Sequence, residues 1–234
     1  MTLSAEIIKE NIQTVKSAVA DAARVSRRQA DDIRIMAVTK AQPCDVVRLA
    51  IDAGITLFGE NKVQEAIDKF PIPDQRSYEL HMIGALQKNK INKSLTFFSM
   101  IQSVDSISLA EEVNKRAAIL GIVVPVLLEF NIGEERTKTG FLPRETVFLP
   151  QAFSSLHNLD VQGMMCIPPY IENVNEVRPY FAAMRSLFEM LGDREPFLNH
   201  FKVLSMGMSH DYKIAIEEGA TMVRIGTAFF GQRR

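Results

Sequence analysis

A chain of 234 residues is long enough to bury one large α/β core, and 47% hydrophobic with 24% charged residues excludes a disordered or low-complexity chain. With 27 Lys+Arg against 28 Asp+Glu the net charge is -1, so there is no global positive field to draw nucleic acid or an anionic membrane, and a small molecule is the expected partner. The two cysteines, Cys44 and Cys166, lie outside any CxxC or Cys/His cluster, which argues against a disulfide framework or a zinc site and for a reducing, cytoplasmic setting.

In chain order, Ile8, Ile12, Val15, Val19 and Ala22 recur at 4-3-4-3 spacing and predict a helix over about residues 3–29, with a charged outer face and no apolar signal-peptide core. The short β-branched run Ile33 to Lys40 then reads as a buried strand. Further strand-like runs cover Thr56 to Glu60, Tyr78 to Ala85, Phe97 to Val104, Val123 to Ile132, Leu159 to Ile167, Phe201 to Met208 and Thr221 to Gly231. Helical stretches lie between them, among them Asp45 to Ala53, Asn61 to Phe70, Ser108 to Leu120 and Val174 to Leu191. Ser108 with Glu111, and Asn173 with Glu176, have the spacing of helix-start capping pairs.

Apolar strands alternating with helices call for a parallel sheet covered on both faces. Eight such units predict a single (β/α)8 TIM-type barrel spanning 1–234, with a doubly wound open sheet as the alternative. The sequence stops at Arg234, directly after the eighth strand-like run, so the N-terminal helix is expected in the place of the eighth helix.

Chemistry in such a barrel gathers at the carboxyl ends of the strands. Lys40 ends the first strand on the same side as Met36 and Val38. There it is either a buried nucleophilic amine or a lysine reaching solvent. Glu60 and Asn61 follow the second strand, His81 sits within the third and Asn131 follows the fifth. Leu204 to Ser209 carries two hydroxyls, Ser205 and Ser209, around Gly207. Val223-Arg224-Ile225-Gly226-Thr227 adds a second Gly-hydroxyl pair, and loops after strands seven and eight commonly bind phosphate. Arg224 lies in an apolar strand and must find a partner, either a carboxylate such as Glu60 or a ligand. The basic run of Lys88, Lys90 and Lys93 reads as a solvated helix face. No P-loop, GxGxxG, HExxH or GxSxG motif occurs.

Seven segments in order, Ala37-Val38-Thr39-Lys40, Phe58-Gly59-Glu60-Asn61, His81-Met82-Ile83-Gly84, Asn131-Ile132 with Lys138-Thr139-Gly140-Phe141, Gly163-Met164-Met165, Ser205 to Ser209 and Met222 to Thr227, resemble the pyridoxal phosphate homeostasis proteins. These are single-domain relatives of the alanine racemase N-terminal barrel. The resemblance implies that Lys40 holds pyridoxal 5′-phosphate (PLP) as an internal aldimine. It also implies that Ser205, Gly226 and Thr227 hold the phosphate with Met206 close by, that Arg224 faces the pyridine nitrogen, and that Asn61 lines the pocket. His81 is expected near the site without an assigned role.

An arginine at the ring nitrogen disfavours carbanion chemistry. Racemisation also needs a second base, which an added domain supplies in the racemases; Tyr78, Tyr170, Tyr180 and Tyr212 all fall outside the segments expected at the mouth. The expectation is therefore a monomeric PLP-binding protein serving vitamin B6 homeostasis and amino-acid balance, with apo PLP enzymes as recipients and without turnover. A weak amino-acid racemase and a phosphate-binding barrel without the cofactor are the alternatives.

Overall fold

The computed structural model describes residues 3–70 and 78–232. Its elements are α1 (Ala5–Val25), β1 (Arg34–Val38), α2 (Cys44–Asp52), β2 (Leu57–Glu60), α3 (Val63–Lys69), β3 (Glu79–Met82), α4 (Ile91–Phe97), β4 (Met100–Val104), α5 (Ile107–Leu120), β5 (Val124–Phe130), α6 (Leu149–Phe153), β6 (Leu159–Cys166), α7 (Arg178–Gly192), β7 (Val203–Met208), α8 (Tyr212–Glu217), β8 (Met222–Ile225) and α9 (Thr227–Phe230). All eight strands pair in parallel and in sequence order, and β8 closes back on β1 with Met36 opposite Arg224. The barrel is therefore closed, as the alternation of runs predicts, and the open sheet is set aside.

The helix α1 starts where Ser4 accepts a hydrogen bond from the Ile7 N–H, and buries Ile8, Ile12, Val15, Val19 and Ala22, the face its spacing marks out. Each of the isoleucines and valines contributes about 1.5–3 kcal/mol on full burial. This helix packs against α2, α8 and α9, filling the gap in the outer ring beside β8 and β1. Arg28 beyond its end donates to the Ala220 carbonyl at 2.8 Å, and Asn11 to that of Phe229 at 2.9 Å.

The final run differs from its expected form. Strand β8 ends at Ile225, and Thr227–Phe230 turns into one helical turn that buries Phe229 and Phe230 in the main core. The terminal Arg234 lies outside the described residues. Ser106, not Ser108, caps α5 by accepting from Leu109 N–H, whereas Ser108 accepts from Lys88. Asn173 caps a short 3-10 turn, Val174–Val177, that leads into α7.

Inside the barrel, side chains pointing inward form two small apolar clusters. Met36, Val38, Leu57, Ile83 and Met222 make one, and Met100, Leu127 and Met165 the other. Methionine suits this tapering interior because its unbranched thioether fills irregular gaps. Main-core residues such as Met206 and Leu204 face the other way, toward the helices.

Candidate cofactor site

At the carboxyl ends of the strands lies a cavity of about 210 Å³. Val38, Lys40, Asn61 and Ile83 form one wall; Ile167, Met208, Ser209, His210, Gly226 and Thr227 form the other, and Arg224 also contributes to the lining. Lys40, Asn61, Arg224, Gly226 and Thr227 are thus brought together from β1, β2 and β8.

The backbone around Lys40 is pinned on both sides. Thr39 Oγ1 donates to Glu60 Oε1 at 2.7 Å, Lys69 Nζ donates to the Thr39 carbonyl at 2.7 Å and to Glu60 Oε1 at 3.0 Å, and the Ala41 N–H donates to Glu65 Oε1 at 2.5 Å. Ala41 adopts φ +60°, the left-handed conformation that turns the chain sharply after the lysine. Burial pushes the Glu60 carboxyl up, and the hydrogen bonds from Thr39 and Lys69 oppose that shift. Glu60 is therefore committed to Thr39 and Lys69, and does not pair with Arg224. The pinning residues Glu65 and Lys69 lie in the first and last turns of α3 and carry no motif, so the sequence gives no sign of their role.

Asn61 reaches the cavity because Gly84, just beyond β3, permits a close backbone approach. A Cβ on Gly84 would stand 2.4 Å from the Asn61 carbonyl oxygen. The Oδ1 of Asn61 is buried and has no hydrogen-bond partner, an open acceptor in the cavity wall.

Between β7 and β8 the register shifts after Ser205, and Gly207 adopts φ +89°. This irregularity delivers Ser209 rather than Ser205 to the mouth. Ser209 Oγ accepts from the Gly226 N–H at 3.1 Å and the Ala228 N–H at 3.2 Å, which knits the two loops together. Ser205 and Met206, expected at the phosphate, do not line the cavity. Ser205 is fully buried within the barrel, and Met206 packs on the outer face of the sheet.

Arg224, 4% exposed, donates through Nη1 to the Ser205 carbonyl and Oγ and through Nη2 to the Cys166 carbonyl, each at 2.8 Å. Oxygens of neighbouring strands satisfy it in place of the expected carboxylate. Nearby, burial drives the Cys166 thiol up to about 12, so it stays a neutral packing group. Burial also raises the Glu129 carboxyl to about 7, with Asp105 adding to the shift and Arg224 opposing it. The sequence did not single out Glu129.

His81 is fully buried and lies below the cavity rather than in its lining. Asn131 serves its own loop, donating to the Glu135 and Lys138 carbonyls. None of the four tyrosines lines the cavity; Tyr170, just beyond β6, sets its ring 5.4 Å from that of His210, a cavity residue. Among the described residues no group of His, Cys, Asp and Glu is arranged to hold a metal, and no helix is long and apolar enough to cross a membrane.

Comparison with known proteins gives the same fold and a family. The profile of the alanine racemase N-terminal domain matches residues 7–234. A pyridoxal phosphate homeostasis protein of Aquifex aeolicus is 40% identical over 226 residues, covering 96% of this chain and 98% of that one. PipY of Synechococcus elongatus PCC7942, solved with PLP bound, superposes with a TM-score of 0.83 at 34% identity, covering 96% of this chain and all of that one. Alanine racemase of Clostridium difficile 630, at 18% identity and a TM-score of 0.72, shares the fold over 57% of its own length. A closed barrel with a lysine, an arginine and Gly-hydroxyl loops at one mouth, matched over nearly its whole length by these relatives, places the chain in the alanine racemase N-terminal domain family, among the pyridoxal phosphate homeostasis proteins.

Proposed function

We propose that this protein binds PLP in the cavity at the barrel mouth and serves intracellular PLP homeostasis, holding the cofactor rather than turning over a substrate. The observation that carries the reading is the convergence of Lys40, Asn61, Ser209, Arg224, Gly226 and Thr227 on one small cavity. PLP supplies an aldehyde that captures primary amines reversibly and a ring able to accept electron density. Lys40 is the residue to carry it as an imine, since it lines the cavity beside the apolar Val38 and Ile83 on a backbone pinned at Thr39 and Ala41.

The hydroxyls of Ser209 and Thr227, beside Gly226, suit a phosphate. This assignment replaces Ser205 by Ser209. Arg224 suits the ring nitrogen: a buried cation there disfavours protonation of the ring and so weakens it as an electron sink. Asn61 Oδ1 offers an acceptor for a polar substituent. Reversible attachment allows the cofactor to pass to another amine, which fits delivery to apo PLP enzymes, an influence on amino-acid pools, and a cytoplasmic monomer.

Mixing the PLP-loaded protein with an apo PLP enzyme in the presence of a scavenger of free PLP tests the reading. Reactivation faster than the scavenged pool allows is expected; failure of every apo-enzyme to gain activity would count against delivery. A second reading, weak amino-acid racemisation, draws on Tyr170 beside the cavity residue His210. Exchange of the α-proton of an added amino acid in heavy water would favour it, and its absence across the common amino acids would remove it.

A further inference from the structure

We infer that Gln102 is a positioning residue for Arg224: it is the central link of a one-directional chain of hydrogen bonds that crosses the barrel interior and holds the guanidinium at the cavity. The inference rests on reading Arg224 as the partner of the cofactor ring.

The chain runs from β8 to β7, across to β4 and β3, and down to the opposite end of the barrel at β1. Arg224 Nη1 donates to Ser205 Oγ at 2.8 Å, and Ser205 Oγ donates to Gln102 Oε1 at 2.8 Å. Gln102 Nε2 donates to His81 Nδ1 at 2.9 Å, and His81 Nε2 donates to Glu79 Oε2 at 3.1 Å. Arg34 Nη2 closes the chain by donating to Glu79 Oε1 at 2.7 Å. Ser205, Gln102 and His81 are fully buried, so water does not substitute for the links between them.

The ends of the chain fix its direction. A guanidinium only donates, and an ionised carboxylate only accepts. The hydrogen bond from His81, with help from Arg34, holds Glu79 down at about 2, so it is ionised at neutral pH. Burial lowers His81 and keeps it neutral, although it sits within ion-pair distance of Glu79. A neutral imidazole donating from Nε2 must accept at Nδ1. Gln102 must then turn its amide NH2 to His81 and its carbonyl to Ser205, and the Ser205 hydroxyl turns its lone pair to Arg224. A polarised chain of this kind strengthens each of its links.

Gln102 joins an acceptor on one side to a donor on the other in a rigid amide plane, and so passes the direction set at His81 on to Ser205. Its second amide hydrogen meets Met222 Sδ at 3.1 Å, which anchors that plane. A leucine at this position fills similar space and carries neither function. Ser205 would then lose the acceptor that orients its hydroxyl, and its Oγ would hold Arg224 less firmly.

The test uses cofactor-free protein labelled with 15N, so its outcome does not depend on PLP binding. In the wild type, separate and slowly rotating Arg224 Nη–H signals are expected, with His81 protonated at Nε2. In Gln102→Leu the Arg224 signals should merge through faster rotation, and PLP retention, measured in parallel, should fall about tenfold, the loss of one hydrogen bond to a charged group. In Gln102→Glu the carboxylate still accepts from Ser205, so the separate Arg224 signals should return, while His81 gains a second proton at Nδ1 to meet it.

Unchanged Arg224 signals in Gln102→Leu, or equal disturbance in Gln102→Leu and Gln102→Glu, would overturn the inference. Should Gln102→Leu fail to fold, Ser205→Ala replaces it and is expected to merge the Arg224 signals in the same way; retained signals there overturn it equally. Borohydride trapping of PLP on wild-type protein decides the cofactor reading separately.

Discussion

Ser209 and Gly226 are joined across two loops: the Ser209 Oγ accepts the Gly226 N–H at 3.1 Å, while four residues earlier Ser205 is occupied with Arg224 and Gln102 inside the barrel. Two serines of one short segment therefore serve different ends of the site.

Substitution separates them. Ser209→Ala removes a hydroxyl from the cavity wall, and is expected to reduce the preference for PLP over unphosphorylated pyridoxal by about tenfold, the size of one hydrogen bond to a charged group. Ser205→Ala should leave that preference unchanged, because its hydroxyl points to Gln102. Competitive binding of the two vitamers measures the ratio. A larger change in Ser205→Ala than in Ser209→Ala would return the phosphate to Ser205.

The approach of Gly84 to Asn61 gives a prediction about shape. A methyl group at residue 84 would fall 2.4 Å from the Asn61 carbonyl oxygen and 2.7 Å from its Cα, both backbone atoms with no rotamer to move aside. Gly84→Ala is expected to destabilise the protein by about 1–3 kcal/mol through overpacking, and to weaken PLP retention by displacing Asn61. Urea unfolding together with cofactor titration checks both effects. Wild-type stability in this variant would show that the contact is relaxed in solution.

Glu129 carries a pH signature. Burial raises its carboxyl from 4.5 to about 7, so the folded protein favours the protonated form more than the unfolded chain does. Stability from this group is fully present below about pH 4.5 and is lost as pH rises through about 7. Glu129→Gln, which mimics the protonated group, should match the wild type near pH 4 and exceed it at pH 8, by up to about 3 kcal/mol. Melting temperatures across that range measure it. A constant difference between the two proteins at all pH values would contradict the assignment.

The barrel was legible in the sequence because parallel strands buried on both faces are continuous apolar runs, and eight of them alternate with helices. Lys40 and Arg224 were legible for the same reason: a long cation ending or interrupting such a run is conspicuous. Ser209 was harder to separate from Ser205. At about 3.3 Å per residue, four residues amount to about 13 Å of strand, the difference between barrel interior and mouth. A bulge with Gly207 at positive φ breaks the alternation that would have ordered the two serines.

Gln102, Lys69 and Glu65 left no mark on the sequence, since their roles come from partners on other elements. The helical turn after Ile225 is not legible in the sequence because Ala228, Phe229 and Phe230 are apolar in either conformation.

The central claim is that Lys40 carries the cofactor. Incubation with PLP, reduction with borohydride and peptide mass mapping test it directly. The account predicts one phosphopyridoxyl group on the peptide containing Lys40, and none in Lys40→Ala. A label spread over exposed lysines such as Lys88 and Lys93, or retained undiminished in Lys40→Ala, would contradict it.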